Sequence, residues 1–175
     1  MRNLAFLSIG ILLILLQANA YRLLGPLGLN GITPSLVLPL VVYLGVHEPS
    51  MPRGAFLAFL LGHAVDIFAS APIFLFTFVY VAIWWLSRLA GVRLTAQTML
   101  TRLFLAFAFA LVEGAIVLIL LAVFGSDTER PIEIAHVVLP RALSTALFAP
   151  AVFRIAHRLA QGSTPVRGST EGASA

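Results

Sequence analysis

The chain contains no cysteine, and every one of its 11 basic residues is arginine, so there is no lysine either. Without thiols there can be no disulfide, no thiolate nucleophile and no cysteine-ligated metal. Charge is scarce as well, at 10% of residues. A soluble domain carries about 25% charged residues, so this chain cannot cover a water-facing surface. Catalytic patterns are also missing. There is no G-x-S-x-G, no H-E-x-x-H, no phosphate-cradling glycine loop and no phosphotransfer-style cluster of aspartates. No enzymatic activity and no cofactor are expected.

What the sequence has is apolar length. Of its 175 residues 60% are hydrophobic, and the mean hydropathy is +1.01. A bilayer crossing takes about 20 residues. The expected fold is therefore an all-α integral membrane protein with about six transmembrane helices in a compact bundle. Residues 1–160 form its single domain, and 161–175 are expected to be a disordered cytoplasmic tail, being rich in Gly, Ser and Thr. The net charge of +4 is spread over helix ends rather than gathered in one patch. It speaks for membrane topology and lipid contact, not for nucleic acid.

The central stretch is Pro52 to Arg88, long enough to cross a bilayer twice, with a small-residue break at Ala69-Ser70-Ala71-Pro72. Ahead of it, Asn3 to Tyr21 is an uncharged run of 19 residues. Its basic start and Ala-x-Ala end have the form of a signal peptide, but its length also suits an uncleaved first helix, which is the reading adopted. Gly25-Pro26, Gly28 and Asn30-Gly31 punctuate a loop. A second helix is predicted over Pro34–Val46, kinked at Pro39. The third covers Gly54–Phe68 and the fourth Pro72–Ser87, with Trp84 and Trp85 as an interfacial belt. The fifth covers Leu103–Phe124 and the sixth Ile134–Phe153, separated by an acidic loop with Asp127, Glu129 and Glu133.

With the N-terminus in the cytoplasm, six spans place eight arginines inside (2, 53, 88, 93, 102, 154, 158, 167) and two outside (22, 130), with Arg141 inside a helix. That positive-inside bias puts both termini in the cytoplasm.

Two sets of residues stand out. Gly54, Ala58, Gly62 and Asp66 recur at spacings of four and share one helix face. Small residues so placed let two helix backbones approach closely, which makes this face the candidate partner interface. The second set is an intramembrane polar cluster: His63, Asp66, Glu113 and Arg141. A charge at membrane depth costs roughly 2.5 kcal/mol or more and needs a partner. Either the cluster binds a ligand, ion or helix, or Arg141 pairs with Asp66 or Glu113 to fix packing. Asp66 and Arg141 both fall toward the outer ends of their helices, which makes their pairing geometrically reasonable. His63 and Asp66 at i, i+3, with Glu113 as a third, are a weak metal signal, and no metal is expected. His136 reads as interfacial.

The order of features from Pro34 to Trp85 resembles the rod shape-determining protein MreD family of bacterial inner membranes. The residues that carry the likeness are Thr33-Pro34-Ser35-Leu36-Val37-Leu38-Pro39-Leu40-Val41-Val42-Tyr43, the polar turn ending in Arg53, and the Gly-x-x-x-Asp of Gly62-His63-Ala64-Val65-Asp66. Where that family often has a glycine-containing turn after the aspartate, this chain has Ala69-Ser70-Ala71-Pro72-Ile73. The resemblance implies a non-enzymatic, multi-pass protein of the bacterial inner (cytoplasmic) membrane that serves the cell-elongation machinery. Its implied partners are an MreC-like protein and, through it, a RodA-type glycosyltransferase and a penicillin-binding transpeptidase. A rival reading of the same size and span count is the vitamin-capture subunit of an energy-coupling-factor transporter, with a pocket at Asp66, Arg141 and Trp84.

Overall fold

A computed structural model of the chain describes residues 2–24, 34–69, 74–91, 99–124 and 131–162. They form six α-helices: α1 (Arg2–Leu24), α2 (Val37–His47), α3 (Met51–Ala69), α4 (Leu75–Gly91), α5 (Met99–Phe124) and α6 (Pro131–Gly162). The connection through Gly25-Pro26 to Gly31, most of the small-residue break, the acidic residues Asp127 and Glu129, and the tail beyond Gly162 lie outside the described residues.

Four of the helices, α1, α3, α5 and α6, are long and apolar enough to cross a membrane. Of the six expected spans, α2 is not of spanning length. Its 11 residues reach only about 16 Å at 1.5 Å per residue, against a hydrocarbon core of about 30 Å. Instead α2 is a core helix: every residue from Val37 to Gly45 is buried, and it touches all five other helices. A helix that is apolar all round belongs in such a place. α4 is also shorter than a full span, at 17 residues.

Prolines account for the other differences. Pro39 is the third residue of α2, and the first four amides of a helix have no intrahelical acceptor. Its missing N–H therefore removes nothing, and the expected mid-helix kink has no cause. Pro52 likewise sits in the first turn of α3, so that helix starts earlier than its polar flank suggests. α6 runs through both Pro140 and Pro150 and on to Gly162. Beyond Phe153, where the helix was expected to stop, its buried Ala156 still packs on the bundle.

Around α2 the pairs α3–α4 and α5–α6 make the most extensive contacts, and α1 lies on α3. α1 buries one stripe (Phe6, Leu13, Ile14) and exposes Leu4, Leu12 and Leu16. Gly10 lies on this stripe, directly against the tip of the Leu61 side chain. Elsewhere the outer surface presents Phe56, Ile67, Phe78, Phe104, Ile119 and Leu147. An exterior of large apolar side chains over buried polar groups suits a hydrocarbon solvent. With four helices of spanning length, it marks a membrane protein.

Candidate functional site

The structure divides the predicted polar cluster into separate places. Asp66 is buried at the start of α4, not beside Arg141. Its Oδ1 accepts the Phe76 amide at 2.7 Å, and its Oδ2 accepts the Thr77 amide at 3.0 Å and the Thr77 hydroxyl at 2.6 Å. Those amides belong to the first turn of a helix, where N–H groups lack intrahelical acceptors and the macrodipole is positive. Asp66 is thus a cap supplied by the neighbouring helix. Phe74, just before α4, has φ 68°, in the left-handed region, a conformation costing of order 1–3 kcal/mol. The bonds to Asp66 hold the turn that contains it.

The small-residue face explains how α4 comes so near. A Cβ on Gly62 would lie 2.6 Å from Thr77 Cα and 2.8 Å from the Phe76 carbonyl oxygen. One on Gly54 would lie 2.6 Å from Trp84 Nε1. Ala58 is fully buried. The face Gly54/Ala58/Gly62/Asp66 is therefore occupied by the chain's own α4. This corrects the expectation that it receives a partner helix: the close backbone approach is real, but it is internal.

Arg141 pairs with Glu113 instead. Its Nη2 is 3.7 Å from Glu113 Oε1, while Asp66 accepts three hydrogen bonds from α4. Glu113 is buried on α5, and Ser35 Oγ donates to its Oε1 at 3.2 Å. Ser35 sits in the extended residues that lead into α2. Its amide donates to Thr145 Oγ1 at 2.8 Å, and its hydroxyl lies 3.4 Å from the Tyr80 hydroxyl. Residues from four elements thus surround one carboxylate. Sequence reasoning missed Ser35, Tyr80 and Thr145. The available signal was a neutral hydroxyl inside an otherwise apolar run, since such side chains bridge helices in membranes. Beside the pair is a cavity of about 50 Å³ lined by Ala110, Glu113, Gly114, Val117, Val137, Val138 and Arg141.

His63 joins neither place. Its ring stacks between Phe59 and Phe74, at centroid distances of 6.3 and 5.7 Å, and its Nδ1 is buried without a partner. The three residues with metal-ligand spacing do not come together, and no group of three such side chains forms among the described residues. The His136 side chain lies outside the described residues.

A third polar group closes one end of the bundle. Arg88 donates to the Glu48 carbonyl at 2.7 Å and the Pro49 carbonyl at 3.1 Å, over the Trp84 ring. Arg53 reaches Asn3 of α1 and stands 3.8 Å from the Glu48 carboxylate. The ring of Tyr43 stacks on His47, and its hydroxyl is 3.5 Å from His157 Nδ1 on α6. These contacts gather the start of α1, the turn between α2 and α3, and the ends of α4 and α6 at the same end. Arg154 and Arg158 are exposed there.

Taken together, the arrangement is one of support, in which amides and hydroxyls serve two buried carboxylates. Comparison with protein-family models, with curated proteins and with solved structures finds no match to this chain.

Proposed function

We propose that this chain is a non-enzymatic component of the bacterial cell-elongation machinery, of the MreD type, acting in the inner membrane as an adaptor for an MreC-like protein and the wall synthases. One observation carries the reading. The segment that bears the MreD-like pattern, Pro34 to Trp85, supplies the enclosed helix of the molecule and the close joint between two others. Its proline-started run becomes the enclosed helix α2, and its Gly-x-x-x-Asp becomes the joint at which α3 holds α4. A pattern that encodes the central packing is the kind that a family built on this fold would keep.

The gathering of Arg53, Arg88, Arg154 and Arg158 at one end supports a cytoplasmic placement of that end, by the positive-inside rule. In the adaptor reading the protein acts through its apolar outer faces. A vitamin-capture subunit needs a pocket of several hundred Å³, and the cavity beside Arg141 offers about 50 Å³.

The test is gentle detergent purification of the tagged full chain from its native membrane, with bound proteins identified by mass spectrometry. The expected result is recovery of an MreC-like protein together with wall-synthesis enzymes. Recovery of transporter ATPases, or of a small molecule with neither, would overturn the reading.

A further inference from the structure

Arg141 has bonding capacity that the described residues do not use. A guanidinium carries five N–H donors. Among the described residues Arg141 has one polar contact, at 3.7 Å to Glu113, which is longer than a hydrogen bond. Its Nε is buried without a partner, while 34% of the side chain remains exposed. The adjoining cavity is walled by Ala110, Gly114, Val117, Val137 and Val138, whose side chains accept nothing.

Depth selects the class of ligand. The apolar run of α5 is Leu103–Leu120, and Glu113 lies about 2 Å from its centre at 1.5 Å per residue. The half-thickness of the hydrocarbon is about 15 Å. A lipid phosphate is too far away to serve this pair, so an acceptor at that depth has to ride on a membrane-spanning protein segment. Charge narrows the choice further. Glu113 already stands 3.7 Å from Arg141, and a second carboxylate would crowd two acids onto one guanidinium, where they cannot both ionise without cost. A neutral acceptor avoids that cost.

We infer that the α5–α6 face at Arg141 docks a membrane-spanning segment of another protein, through an Asn or Gln carboxamide that accepts hydrogen bonds from the guanidinium. This deepens the adaptor reading, on which it rests for the existence of a partner, and moves the interface away from the small-residue face of α3.

The test is site-specific photocrosslinking of the full chain in its native membrane. The probe replaces Val137, which lines the cavity and is exposed, with Leu147 of the same helix as the control position. The expected product at Val137 is an adduct to a spanning segment that contains Asn or Gln within a turn of the crosslink. Its yield should fall about three- to tenfold, the range set by one interhelical hydrogen bond, in the double variant Glu113→Gln/Arg141→Met. That variant removes both charges together. Replacing the partner's Asn or Gln by Leu should lower the yield equally, with this chain left intact. A yield at Val137 no higher than at Leu147, a yield insensitive to both changes, or an adduct to a second copy of this chain would overturn the inference. The two readings fail separately. An adduct to an unrelated membrane protein with the stated dependence keeps this site and sinks the adaptor reading. Co-purification of elongation proteins without a Val137 adduct does the reverse.

Discussion

Asp66 and Arg141 are both ionisable side chains within apolar helices, and the molecule treats them in opposite ways. Asp66 is 6% exposed and accepts three hydrogen bonds from the first turn of α4. The Arg141 side chain is one-third exposed and, among the described residues, has one long contact. The first charge is consumed by the fold. The second stands 3.7 Å from Glu113, and its Nε has no partner among the described residues. Burial alone does not show whether such a group is consumed by the fold; the number of hydrogen bonds that it makes does.

The comparison can be broken from its strongest side first. Gly62→Leu places a side chain against the α4 backbone, which cannot move aside as a side-chain tip can. We expect a loss of about 3 kcal/mol or more. The readout is the fraction of monodisperse protein and the midpoint of thermal unfolding in detergent. If Gly62→Leu unfolds normally and loses only its partner, the α3 face is an external interface after all.

Asp66→Ala comes next. It leaves the Phe76 and Thr77 amides without their acceptor in a buried place, at about 2–3 kcal/mol. The change should also release the start of α4, measured as faster amide hydrogen exchange at residues 75–78. Arg141→Leu should cost less, about 1 kcal/mol, because the contact is long and Ser35 still serves Glu113. A destabilisation equal to that of Asp66→Ala would erase the distinction between the two charges. Of similar size should be Thr77→Val, about 1 kcal/mol by the same unfolding assay. It removes one of the three bonds to Asp66 and leaves both amides in place.

The sequence made the small-residue face legible, because a spacing of four returns to the same side of a helix whatever lies opposite. The occupant of that face was not legible. Gly54, Ala58 and Gly62 say that some backbone comes close, and an internal α4 and an external helix would be written in the same letters. The acceptor role of Asp66 was hidden for a related reason. Two of its donors are backbone amides, which every residue but proline carries, so no side-chain pattern announces them. Matching the few ionisable residues with one another therefore favoured Arg141 as its partner. Pro39 was misjudged by a shift of register: with the helix starting at Val37 rather than at Pro34, the same residue falls in the permissive first turn.

What the sequence determined by itself is the solvent and the helical class. Long apolar runs with few charges leave a helix in lipid as the only way to satisfy the backbone, and that follows from composition and length. Tertiary structure decided which runs form helices long enough to span and which one is enclosed, which helix fills the glycine face, and which ionisable groups meet. Those outcomes depend on chain paths through short connections and on contacts between residues far apart in sequence, such as Ser35 with Thr145 and Glu113. Local periodicity carries no information about either.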